Sequence, residues 1–153
     1  MIAAWRLARR VHSAFDGRGA ERYGGRWNPV GTSAIYASQS RSLAVLELLV
    51  HVDPAALPRD LMFSRVSFDE RDVEEADPPA GWRDAGSIVA VQYGARWLGE
   101  RRSLVLRVPS AVVPDEHNFV INPRHARAST LVIAPTLEEF SFDERLFRRA
   151  ESR

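Results

Sequence analysis

Read from its N-terminus, the chain opens on an apolar-rich segment, Ile2 to Ala8, with Arg6 in its middle, a pattern that predicts a first strand. Between Asp16 and Gly31 the apolar periodicity stops. Gly17, Gly19, Gly24, Gly25, Gly31 and the pair Asn28-Pro29 predict a long loop without regular structure. Five of the nine glycines lie there, and a loop of that length in a small protein is more often functional than a plain connector. Thr32 to Ala37 predicts a second strand. Ser38 or Ser40 can then cap a helix running to about His51, stopped by Asp53-Pro54. Leu61 to Phe68 predicts another strand. The acidic stretch from Asp69 to Gly86, with Pro78-Pro79 and two glycines, predicts a surface connection able to act as a lid. A second helix is expected from the Ser87 cap to about Gly99, with Ile88, Val91, Ala95 and Leu98 along its apolar side. Strands are expected at Leu104 to Val108, Phe119 to Ile121 and Leu131 to Ala134, the last two separated by the Asn122-Pro123 turn. Strands that come in pairs, without strict alternation with helices, favour an α+β fold over a doubly wound parallel sheet.

Composition narrows the chemistry. All 21 basic residues are arginine, and the chain has neither lysine nor cysteine. Thiol nucleophiles, Cys-ligated metals, Schiff-base lysines and the lysine of a phosphate-binding loop are thereby excluded. With 153 residues and 45% hydrophobic content, a single domain over residues 1–153 with a real core is expected. The net charge of +1 supplies no global field for nucleic acid or an anionic membrane. The longest apolar stretch, Leu43 to Val50, is interrupted by Glu47 and falls far short of the roughly 20 residues of a membrane span. The N-terminus lacks the charged leader and apolar core of a signal peptide, so a cytoplasmic protein is expected.

Within Leu43-Ala44-Val45-Leu46-Glu47-Leu48-Leu49-Val50, Glu47 is the only polar residue on a helix apolar nearly all round. A carboxylate on a buried helix must be paired, hydrogen-bonded or protonated. Either it serves a site, or it lies on a solvent-facing stripe or in an ordinary ion pair with one of the arginines. In the loop from Glu21 to Gly31, the adjacent Gly24 and Gly25 let the backbone approach a ligand. Arg26 offers a fork suited to phosphate oxygens, and Trp27 can stack at the rim. The same loop can equally be a structural hairpin with Trp27 plugging the core. It is not a dinucleotide fingerprint, because Arg22 stands where the third glycine belongs. Ser110 follows a strand and a proline and by itself reads as a turn residue, with no G-x-S-x-G around it. His12, His51, His117 and His125 are scattered without metal-ligand spacing, so no metal site is expected. Trp5, Trp82 and Trp97 read most simply as core or rim residues.

Together, Arg6, the run Gly24-Gly25-Arg26-Trp27-Asn28, Tyr36, Glu47, Val108-Pro109-Ser110, the run Asn118-Phe-Val-Ile-Asn122-Pro-Arg-His125 and Phe142-Asp-Glu-Arg-Leu-Phe147 resemble the RES-domain family, named for its Arg, Glu and Ser. The resemblance spans nearly the whole chain. It implies a mainly antiparallel sheet with flanking helices, like that of ADP-ribosyltransferases, and the toxin half of a bacterial toxin–antitoxin pair. NAD+ is implied as the consumed substrate, and an Xre-like helix-turn-helix antitoxin as the partner that occludes the active site and alone contacts DNA. The implied reaction is cleavage of the nicotinamide–ribose bond by water or phosphate. ADP-ribosyl transfer to a protein acceptor is the first alternative, and an idle nucleotide- or partner-binding module the second. By position, the resemblance makes Glu47, Arg26, Tyr36 and Ser110 catalytic and assigns Arg6, Gly25, Arg26, Trp27, Tyr36 and Asn122 to NAD+ binding. Glu47 would stabilise positive charge at the anomeric carbon and bind a ribose hydroxyl, and Arg6 and Arg26 would hold the pyrophosphate. Tyr36 would stack on nicotinamide or shape its pocket, and Ser110 would bond the ribose or fix Glu47.

Overall fold

The computed structural model describes residues 1–148. Eight strands form one sheet: β1 (Ile2–Arg9), β2 (Ile35–Ser38), β3 (Leu61–Phe68), β4 (Val73–Glu75), β5 (Val105–Pro109), β6 (His117–Ile121), β7 (Val132–Ile133) and β8 (Glu138–Phe140). Their spatial order is β4-β5-β6-β2-β1-β3-β7, and β8 pairs with the end of β3 that β7 leaves free. Only β4 and β5 run parallel; every other pairing is antiparallel. Three α-helices accompany the sheet: α1 (Arg18–Tyr23), α2 (Arg41–Leu49) and α3 (Ile88–Glu100). The fold is therefore α+β with a mainly antiparallel sheet.

The two longer helices start where their caps stand in the sequence. The Ser40 hydroxyl accepts from the Leu43 amide and the Ser87 hydroxyl from the Ala90 amide, each filling a donor that the first turn leaves open. Three expectations need correction. The glycine-rich segment is not wholly irregular, because Arg18–Tyr23 forms α1 with Gly17 as its left-handed N-cap at φ 74°. The Asp69 to Gly86 connection contains β4, whose Val-Glu-Glu sequence carries no alternation and is held by pairing with Val105, Leu106 and Arg107. On α3 the buried stripe is Ala90, Gly94, Trp97 and Leu98, while Ile88 is 71% exposed. Two apolar stripes compete on that helix, and the one bearing the bulky Trp97 wins the core.

The sheet has one weak seam. β1 pairs with β3 along its whole length, from Ile2↔Phe68 to Arg9↔Leu61, yet meets β2 only at Trp5↔Ser38. Beyond that pair the strands part, leaving Arg6 and Leu7 on one lip and Tyr36 and Ala37 on the other. One face of the sheet is closed by a core of Ala4, Ile35, Val66, Phe68, Val105, Phe119 and Ile121. On the opposite face the two halves have separate cores. Trp97 and Leu98 of α3 pack on Leu106, Val108 and Val120, and Ala44 of α2 packs with Leu7, Leu61 and Phe63. Only Leu43 and Ala44 of α2 are fully buried, and Leu46 and Val50 are exposed, so this helix is less enclosed than its apolar sequence predicts. It covers one half of the sheet with a single face and turns its other side to the seam and solvent. No helix among the described residues is long and apolar enough to cross a membrane.

Candidate active site

A cavity of about 1000 Å³ opens at the seam, at the upper end of the range of roughly 300–1,000 Å³ typical of ligand pockets. Its walls include Arg6, Gly25, Arg26, Trp27, Tyr36, Glu47 and Asn118. The sheet split, the glycine-rich loop and α2 thus converge on one space.

Glu47 stands on the wall contributed by α2. Its Oε1 accepts a hydrogen bond from Ser110 Oγ at 2.7 Å and another from Asn118 Nδ2 at 2.6 Å. Ser110 Oγ in turn accepts from the backbone amides of Val112 at 3.1 Å and Val113 at 3.0 Å. This hydroxyl is fully engaged: it gives its proton to the carboxylate and takes two amide protons, which leaves it no lone pair for nucleophilic attack. Ser110 thus holds the Glu47 carboxylate from the end of β5. Among the described residues the Glu47 carboxylate makes no ion pair and its Oε2 has no protein donor, and the residue is half-buried.

Arg6 follows the Trp5↔Ser38 pair at the point where the strands separate. One Nη2 hydrogen bond goes to the carbonyl oxygen of His12 at 2.8 Å, while the buried Nε finds no partner among the described residues. Burial pulls the guanidinium below the usual arginine value, and Asp16 offsets this only partly. A desolvated cation with an unmet donor beside a cavity gains from an incoming anion.

The glycine-rich loop is built around Asn28 and Tyr36. Asn28 Nδ2 donates to the carbonyls of Ala20, Pro29 and Thr32, and its Oδ1 accepts from the Tyr36 hydroxyl at 2.6 Å. The same hydroxyl accepts from the Trp27 amide at 3.1 Å. Burial pushes the Tyr36 phenol far above its ordinary value, so it stays protonated and acts as a fixed donor to Asn28. Tyr36 also lines the cavity. Gly25 is required because a Cβ there would meet Tyr36 Oη at 2.7 Å and Asn28 Oδ1 at 2.8 Å. Gly25→Ala is accordingly expected to break the Tyr36–Asn28 bond and lower stability by about 1–3 kcal/mol, read as a fall in the denaturant midpoint at unchanged slope.

Trp27 and Asn122 differ from the roles the resemblance implied. Trp27 is 3% exposed, stacked on Trp82 at 5.7 Å and edge-on to Tyr93 at 6.1 Å, so it acts chiefly as a core plug. Asn122 is outside the cavity wall. Its Nδ2 donates to the Leu98 carbonyl and its Oδ1 accepts from the Arg124 amide, joining α3 to the turn after β6. Arg26 lines the cavity, but its Nη1 donates to the carbonyls of Trp82 at 2.8 Å and Asp84 at 3.1 Å. This arginine thereby ties the glycine-rich loop to Trp82 and Asp84 of the 76–86 segment. Asn118, part of a conspicuous sequence run but not among the expected site residues, is the partner that sequence reasoning missed. Its signal is the amide at the head of β6, registered against Ser38 on one side and Val108 on the other.

Similarity to known proteins agrees with this architecture. The RES domain family profile matches residues 3–143. A protein named Toxin Res from Yersinia enterocolitica is 37% identical over 144 residues, covering 92% of this chain and 95% of its own length. The Prs ADP-ribosylating toxin of a Sphingobium species is 36% identical over 157 residues, covering 95% of this chain and 97% of its own. Among solved structures, the M. tuberculosis MbcT–MbcA toxin–antitoxin complex contains a chain that superposes with a TM-score of 0.68 at 17% identity. The match covers 95% of this chain and 86% of that one, a likeness of fold. With a family profile matched over nearly its full length and relatives above one-third identity, this chain belongs to the RES domain family.

Proposed function

We propose that this chain, as a single RES domain over residues 1–153, is the toxin half of a toxin–antitoxin pair and breaks the nicotinamide–ribose bond of NAD+ in the cytoplasm. The observation that carries the reading is the Glu47 carboxylate, held at Oε1 by Ser110 and Asn118 on the wall of a cavity that also contains Arg6 and Arg26. In the reaction the bond between ribose C1′ and the pyridinium nitrogen breaks, and its electron pair neutralises that nitrogen as nicotinamide leaves. Positive charge develops on C1′ and the ring oxygen. Glu47, presenting Oε2, faces that charge and accepts a hydrogen bond from a ribose hydroxyl. A water oxygen then bonds to C1′ and loses its proton to solvent, giving ADP-ribose; phosphate in its place gives ADP-ribose 1″-phosphate. Arg6 meets a pyrophosphate oxygen with its unmatched donor, and Arg26 adds its free N–H groups. The Tyr36 ring borders the nicotinamide. No metal is needed.

The names of the Yersinia and Sphingobium relatives support the toxin assignment. The fold shared with a chain of the MbcT–MbcA complex supports an antitoxin partner. We take that partner to be an Xre-like helix-turn-helix protein that covers the cavity and supplies the contact with DNA. ADP-ribosyl transfer to a protein is retained as a second reading, because one relative is named for ADP-ribosylation. An idle binding module fits less well with a carboxylate oriented by two donors while its second oxygen stays open.

The test incubates purified full-length protein with NAD+ and follows nicotinamide by chromatography, with product masses compared in phosphate and phosphate-free buffer. Nicotinamide release with free ADP-ribose or its phosphate is the expected result. Labelled protein with little free ADP-ribose supports the transferase reading, and the absence of any nicotinamide release overturns both.

A further inference from the structure

Ser110 and Asn118 both donate to the same oxygen of Glu47, and Asn118 is itself oriented. Ser38 Oγ donates to Asn118 Oδ1 at 2.7 Å, which fixes the amide so that Nδ2 points at Glu47 Oε1, 2.6 Å away. Ser38 and Asn118 are register partners across β2 and β6, so strand pairing brings them opposite each other. Ser38 also forms the single pair with Trp5 that joins the two halves of the sheet. Ser38 is buried, and Asn118 lines the cavity. A series of donations thus runs from the seam through Ser38 and Asn118 to the carboxylate, and meets there the independent donation from Ser110.

We propose that Asn118, held by Ser38, is a positioning residue that fixes the rotation of the Glu47 carboxylate so that Oε2 faces the ribose. This rests on the reading of the cavity as an NAD+-cleaving site. A carboxylate on a flexible Glu side chain turns easily when one donor holds it. Two donors arriving at one oxygen from different strands leave a single orientation. Ser110 alone holds Oε1 from the end of β5; Asn118 supplies the second direction from β6. An acceptor at position 118 reverses the interaction, and this separates positioning from mere packing. Asn118→Asp keeps shape and volume, yet sets two carboxylates within hydrogen-bonding reach, which is tolerated only when a proton is shared between them.

The experiment compares wild type, Asn118→Ala, Asn118→Asp, Ser38→Ala and the Ser38→Ala/Asn118→Ala double variant in the nicotinamide-release assay, with folding checked by circular dichroism. Asn118→Ala is expected to lower kcat about 10- to 100-fold with KM changed less than about threefold, since orientation is lost and NAD+ contacts remain. Asn118→Asp is expected to be as impaired at pH 8 and to regain activity as the pH falls, a recovery absent from wild type. Ser38→Ala should cost less than Asn118→Ala and add nothing in the double variant. Wild-type kcat in folded Asn118→Ala, or an Asn118→Asp profile parallel to wild type, overturns the proposal. An arm that needs no activity keeps the two readings apart: side-chain amide NMR of Asn118 in wild type and Glu47→Ala. One Asn118 amide proton shifted downfield by the carboxylate, and returned to an ordinary position in Glu47→Ala, supports the contact. Its absence refutes positioning whether or not NAD+ is cleaved, whereas the shift together with an inactive wild type refutes only the NAD+ reading.

Discussion

Glu47→Gln is expected to lower nicotinamide release by about 10³-fold, roughly 4 kcal/mol of transition-state stabilisation, while leaving the fold intact. The substituted amide oxygen can still accept from Ser110 Oγ and Asn118 Nδ2, which are 2.7 Å and 2.6 Å from Oε1 in the native protein. Only the second oxygen is exchanged, for an uncharged NH2 group. The change therefore removes the charge facing the ribose without uncoupling α2 from β5 and β6. NAD+ affinity should change little, because the pyrophosphate contacts assigned to Arg6 and Arg26 are untouched, so the loss falls on kcat. Single-turnover kinetics with equilibrium binding of NAD+ to the variant provide the check. Release within tenfold of wild type by a folded Glu47→Gln protein would remove Glu47 from the centre of the reaction.

The prominence of Glu47 was legible because a single carboxylate interrupts an apolar helix, although the reason for it was not. The sequence pattern implied a helix buried on most sides, whereas Leu46 and Val50 are exposed and α2 lines a cavity. The caps at Ser40 and Ser87 and the strands β1, β3 and β5 were readable because each has local physics of its own: a hydroxyl ahead of a periodic run, or β-rich residues between turn signals. α1 and β4 were not, since neither is specified locally. Six residues behind a glycine cap do not make a stable helix by themselves, and Val-Glu-Glu becomes a strand only because β5 presents a parallel edge. Asn118 and Asn122 show the same limit within one motif run. Four residues apart and so on the same side of the pleat, one amide meets the carboxylate of α2 and the other, just beyond the end of β6, the Leu98 carbonyl of α3, a distinction set by which helix packs over each stretch. Ser110 reads as a turn residue in its own context, and the contact that gives it meaning spans the fold from β5 to α2.

Gly94→Ala is expected to be the most damaging of the small substitutions outside the carboxylate network. A Cβ on Gly94 would lie 1.9 Å from the Trp27 carbonyl oxygen and 2.7 Å from its carbonyl carbon, contacts with backbone that no rotamer change relieves. Either α3 withdraws from the loop or the loop moves, and Trp27 cannot move alone. Its amide bonds Tyr36 Oη, its ring stacks on Trp82, and its neighbour Arg26 straps the 76–86 segment. Overpacking typically costs 1–3 kcal/mol, and contact with backbone places this case at about 3 kcal/mol or above, a fall in Tm on the order of 6–12 °C for a chain of this length. Gly99 supplies the control within the same helix. Nothing lies within 4 Å of a Cβ built there, so Gly99→Ala is expected to raise stability by roughly 0.5 kcal/mol through helix propensity. Opposite signs for the same substitution on one helix would isolate contact with the loop from any general effect of glycine replacement. Because the loop carries Arg26 and positions Tyr36, nicotinamide release by Gly94→Ala should also fall below that of Gly99→Ala at temperatures where both remain folded. Equal melting temperatures for the two variants would show that α3 and the Trp27 backbone are not in the close packing that shapes this wall of the cavity.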